Sequence, residues 1–102
     1  MSRDQIIKEI KQRILEIIPE ASIWLYGSQA RGDYGQNSDW DILIVTDQKL
    51  SFEQKDKIFD SITRLSIQTD QLITLTFNTR EQIENFKYDM FYQNVLNEKI
   101  VL

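Results

Sequence analysis

Apolar residues recur along this chain with two different periods, and each change of period marks a new element. Over residues 3–18, Ile7, Ile10, Ile14, Ile17 and Ile18 follow helical spacing, which predicts an amphipathic helix. Ser2 or Asp4 is placed to cap its start, and Pro19 disfavours helical backbone beyond Ile18. The pattern then shortens. Ile23-Trp24-Leu25-Tyr26 predicts a strand over 23–27, and Ile42-Leu43-Ile44-Val45 predicts one over 39–46. A third strand is expected over 71–77, where Ile73, Leu75 and Phe77 alternate onto one face. Between the first two strands, residues 28–33 predict a short helix, and Gly32, Gly35, Asn37 and Ser38 a loop. Asp47-Gln48-Lys49 makes a turn, and Ser51 caps a helix over 52–66 with Phe52, Ile58, Phe59, Ile62 and Leu65 inward. Thr79 followed by Gln82 has the spacing of a capping box for another helix. After Lys87 the periodicity fades, and Phe86, Tyr88, Met90, Phe91 and Tyr92 are expected to close the core over the sheet. These elements describe an α/β fold, a small mixed β-sheet flanked by helices.

Composition narrows what such a fold does. A length of 102 residues suits one domain, 1–102, and 41% hydrophobic residues supply a modest core. The formal net charge of −4 and the pI of about 4.7 argue against a protein that grips nucleic acid through its phosphates. Cysteine and histidine are both missing, which excludes disulfides, thiolate sites and imidazole catalysis; any metal must be held by oxygens. The N-terminus is polar, and no stretch approaches the length of a membrane span, so a soluble cytoplasmic protein with no membrane role is expected.

Residues 27–41, GSQARGDYGQNSDWD, hold the candidate chemistry. Asp39 and Asp41 flank Trp40 at the start of an apolar strand, and alternation puts both carboxylates on one face. Two carboxylates that close repel unless a cation lies between them, which suits a hard divalent ion such as Mg²⁺. Gly27 allows a sharp turn and close approach of the backbone to a phosphate, and the backbone N–H groups of a helix starting at Ser28 would face the mouth of the site. Near the motif, Arg31 is the only basic residue between Arg13 and Lys49; it is placed to assist on a phosphate or to pair with Asp33 or Asp47.

Gly27-Ser28, ten intervening residues and Asp39-x-Asp41 resemble the motif of the DNA polymerase beta nucleotidyltransferase superfamily, and in length and element order the chain resembles its minimal nucleotidyltransferases. The resemblance implies a polymerase beta-like nucleotidyltransferase fold that uses ATP with one or two Mg²⁺ ions. Asp39 and Asp41 would hold the metal, Gly27 and Ser28 would bind the β- and γ-phosphates, and Ser28, Asp39, Asp41 and Asp70 would form the catalytic set. Asp70 enters as the candidate for the third carboxylate that such enzymes usually add from a neighbouring strand, although it stands at the strand edge and is equally readable as a turn residue. The resemblance also implies a partner, a HEPN-domain ribonuclease toxin, which minimal nucleotidyltransferases silence by transferring AMP to a tyrosine. The alternative is a degenerate module that neutralises its partner by contact alone. Transfer to a small molecule such as an aminoglycoside is a weaker reading, and oligomer formation stays open.

Overall fold

The structure, a computed structural model, describes residues 1–35 and 38–102; of the loop expected between the first two strands, Asn37 lies outside the described residues. Helix α1 (Arg3–Ile17) begins at Ser2, whose hydroxyl accepts from the Gln5 N–H while the Gln5 side chain returns to the Ser2 N–H. It stops at Ile18, the residue before Pro19, as the steric restriction ahead of proline requires. Strand β1 (Ser22–Tyr26) leads through Gly27 into the single turn α2 (Ser28–Arg31), then β2 (Trp40–Thr46). Helix α3 (Phe52–Thr69), again opened by a capping box from Ser51 and Gln54, crosses back to β3 (Ile73–Thr79). Thr79 and Gln82 form a third such box at α4 (Arg80–Asn85), followed by α5 (Met90–Glu98) and the two-residue strand β4 (Ile100–Val101).

The four strands lie in the order β3-β2-β1-β4, with β2 and β3 parallel and the other neighbours antiparallel. The parallel pair needs the α3 crossover, whereas β1 and β2 are joined by the motif segment itself. Alternation then divides the sheet. Ile23, Leu25, Ile42, Ile44 and Ile73 pack against Ile6, Ile10, Ile14 and Ile18 of the first helical segment and Ile58, Ile62 and Leu65 of α3. On the opposite face Trp24, Leu43 and Val45 meet Ile83 of α4 and Val95 of α5. The mixed sheet flanked by helices is therefore the one expected.

Three expectations need correction. The third strand runs two residues later than 71–77, because α3 extends to Thr69 and its chain reversal uses residues 70–72. Phe52 and Phe59 do not face inward: Phe52 is 88% exposed, and Phe59 lies at the rim with its ring edge-on to Phe77. Of the aromatic run near the C-terminus, Tyr92 packs against the core cluster as expected, but the rest of the run does not close the core. Tyr88 and Met90 are 81% and 77% exposed, and Phe86 and Phe91 are also largely open; Val95 fills the place they were expected to take. Among the described residues, no helix is long and apolar enough to cross a membrane.

Candidate active site

Antiparallel pairing of β1 with β2 brings the end of the first strand to the start of the second. Tyr26 stands opposite Asp41, and on its other side Asp41 stands opposite Thr74 of β3. All three side chains belong to the α4/α5 face, at the edge of its apolar cluster. One residue past Tyr26, Gly27 adopts φ 74° and ψ −159°, a backbone region that side chains other than hydrogen rarely tolerate. The space is equally restrictive, since a Cβ at Gly27 would overlap the Asp41 carboxylate. Glycine is thus required here twice, by conformation and by contact, and the spacing of the motif is the means by which its two halves meet.

The Asp41 carboxyl titrates above the usual aspartate range. Burial is the largest cause and the neighbouring Asp39 charge the second; the Thr74 hydroxyl and Arg31 pull it down, while Glu98 adds to the rise. Asp39 lies just outside the strand and is exposed. Tyr26 is also held above its ordinary value, first by burial and then by the Asp41 charge, against the lowering influence of Thr76. A half-buried carboxylate beside a second one, with too little positive charge to compensate, fits a divalent cation: the donors are hard oxygens, and a cation would reverse the unfavourable electrostatics. Asp39 and Asp41 are the residues that would hold Mg²⁺, and the ion would supply neutralisation of phosphate charge.

Arg31, at the end of α2, does not point freely into solvent. It donates from Nε to Asp33 at 3.3 Å and from Nη1 to Glu98 at 3.1 Å, whereas Asp47 pairs with Arg80 instead. The second oxygen of Glu98 accepts from the Gly27 N–H at 2.9 Å. Asp70 has a different position. It caps α3 in the left-handed conformation at φ 53°, with its N–H bonded to the Ser66 carbonyl. It lies at the same end of the sheet, but Thr74, four residues later, is the β3 residue opposite Asp41. Among the described residues no three carboxylates gather into a group able to hold a metal, so the structure does not join Asp70 to Asp39 and Asp41.

A network on the other side of the motif was not foreseen. Arg3 donates through both terminal nitrogens to Gln29, one bond reaching its side-chain oxygen and the other its backbone carbonyl at 2.5 Å. The same guanidinium lies over the rings of Tyr34 and Trp40 at 4.4 and 5.1 Å. Gln29 is buried and donates on to the Ser38 carbonyl. The first helix thereby fastens both the turn that follows Gly27 and the loop that returns to Asp39.

The family described as nucleotidyltransferase domain matches residues 4–102, almost the whole chain. The chain belongs to that family. Two curated relatives from Methanocaldococcus jannaschii, each named as a protein adenylyltransferase, are 34% identical to this nucleotidyltransferase. One aligns over 91 residues, covering 80% of this chain and 92% of the relative; the other aligns over 110 residues, covering 100% and 99%. A crystal structure of a toxin–antitoxin with AMP-PNP shares the fold, with a TM-score of 0.61 and 20% identity over 99% of this nucleotidyltransferase and 72% of that chain. The resemblance carried by Gly27-Ser28 and Asp39-x-Asp41 is borne out at the level of family and fold.

Proposed function

We propose that this nucleotidyltransferase transfers AMP from ATP, with Mg²⁺, to a hydroxyl of a partner protein, and that the acceptor is a tyrosine of a HEPN-domain toxin for which it serves as antitoxin. The observation that carries the reading is the contact of Gly27 with Asp41. It places a turn suited to phosphate against a carboxylate pair that lacks compensating charge. Asp39 and Asp41 hold the ion; Gly27, Ser28 and Arg31 bind the phosphates. The names of the Methanocaldococcus relatives support protein adenylylation, and the toxin–antitoxin neighbour with AMP-PNP supports both the nucleotide and the kind of partner.

A second reading has its own observation. The β3 position opposite Asp41 is Thr74, a residue that cannot bind a second ion or accept a proton as a carboxylate would. A protein of this shape that neutralises its partner by contact alone would look the same at that position. Intact-mass spectrometry of the cognate toxin after incubation with ATP and Mg²⁺ separates the two. Adenylylation adds one or more AMP units; Asp41→Asn abolishes them, and Asp70→Asn, which alters a helix cap, leaves them. A toxin whose mass never changes while its ribonuclease activity is blocked would establish the contact reading instead.

A further inference from the structure

The proposed reading needs an anion at Gly27 and Arg31, and the chain already supplies one. The Glu98 carboxylate accepts from the Gly27 N–H at 2.9 Å and from Arg31 Nη1 at 3.1 Å, one oxygen for each donor. Those are two of the groups assigned to the triphosphate. The Glu98 side chain is only 19% exposed, so this is an enclosed contact rather than a passing surface pair. It also brings a third negative charge towards Asp39 and Asp41, an arrangement that two donors offset only in part. A cation-bound triphosphate offers the same donors more charge and more oxygens, and brings its own neutralising ion.

We propose that Glu98 is a built-in phosphate mimic that occupies the nucleotide site at rest, and that a nucleoside triphosphate with its divalent cation must displace it to bind. The inference rests on the nucleotide-binding reading above and adds to it an internal competitor. Its place in the chain suits that task. Glu98 is the last residue of α5, where helical hydrogen bonds are fewest and a side chain can swing out without unpacking Val95 or breaking the edge-to-face contact of Phe91 with Tyr26. Arg31 keeps its second partner, Asp33, when Glu98 leaves.

The test is titration calorimetry of ATP with Mg²⁺ into wild type, Glu98→Gln and Glu98→Asp. The glutamine is isosteric but uncharged; the aspartate keeps the charge and is one methylene too short to reach both donors. If Glu98 holds the donors nine-tenths of the time, the variants bind about tenfold more tightly than wild type, because removing a competitor restores the intrinsic affinity. The amide of Gly27 provides a second readout. The chain has three glycines, so its resonance is readily followed; it should move in both variants, while those of Gly32 and Gly35 stay in place and report an intact fold. Equal or weaker ATP affinity in both variants overturns the mimic while leaving nucleotide binding in place. Failure of all three proteins to bind ATP overturns the nucleotide reading itself, and the mimic with it.

Discussion

Replacing Gly27 with alanine tests the central geometric claim, that the turn and the carboxylate compete for one small volume. Two costs should combine. At φ 74° and ψ −159° the backbone lies in a region nearly exclusive to glycine, worth about 1–3 kcal/mol for any other residue. The new methyl also overlaps the Asp41 carboxylate, which must rotate away from Thr74 at a further cost of about 1 kcal/mol. The sum, roughly 2–4 kcal/mol, corresponds to a fall in Tm on the order of 10 °C or more for a domain of this size. Gly32→Ala is the control. Gly32 also has positive φ, at 87°, but among the described residues nothing lies within 4 Å of its missing Cβ, so only the conformational cost of about 1–2 kcal/mol applies. Urea unfolding of Gly27→Ala, Asp41→Ala and the double variant isolates the contact: in the Asp41→Ala background the overlap is gone, and the alanine should cost about 1 kcal/mol less. Perfectly additive effects would show that the methyl and the carboxylate never meet. A Gly27→Ala protein as stable as wild type would refute the turn geometry altogether.

Two further outcomes follow from the same site. Because the folded-state pKa of Asp41 is raised, its protonated form is favoured by folding; that stability is fully present below the unfolded value of about 3.9 and is lost as pH rises through the folded value. Asp41→Asn should therefore melt higher than wild type at pH 7, with the gap closing as pH falls from the raised folded value towards about 4 and gone below it, and Mg²⁺ should raise the Tm of wild type only; a gap that widens on acidification would contradict the burial argument. Arg3→Met removes both bonds to Gln29 and leaves a buried amide oxygen unpaired, which should cost about 2 kcal/mol in urea unfolding and weaken ATP binding without touching the carboxylates; a change under about 0.5 kcal/mol would mean the first helix does not support the motif.

The elements whose signals are local were readable in the chain. Helical spacing of isoleucines, the caps at Ser2, Ser51 and Thr79 with Gln82 three residues after the last, and the shared face of Ile73, Leu75 and Phe77 all act within a few residues, and each is present in the fold. The pairing of Gly27 with the aspartates was readable for a related reason, because the segment between them is short and both flanks are apolar. What escaped depends on distant packing. The aromatic run from Phe86 to Tyr92 looks like core by composition, yet Ile83 and Val95 take those places and leave most of it outside. Glu98 carries no local signal, since its role exists only once α5 is laid across the sheet. Thr74 could have been found: it alternates with Ile73 and Leu75, so the face it shares with Asp41 follows from strand period once the strand is placed correctly.

The reciprocal caps at Ser2, Ser51 and Thr79 all return a glutamine rather than a glutamate. An amide carries no proton to gain, so these reciprocal bonds themselves hold no charge, although Asp4, Glu53 and Glu81 stand in the same first turns. Helix α5 differs: its first turn is held by the Asp89 carboxylate, bonded to the Phe91 N–H. Three helices thus open on a neutral reciprocal pair and α5 on a single charged acceptor, so the helix starts of this small fold do not all rest on the same kind of bond.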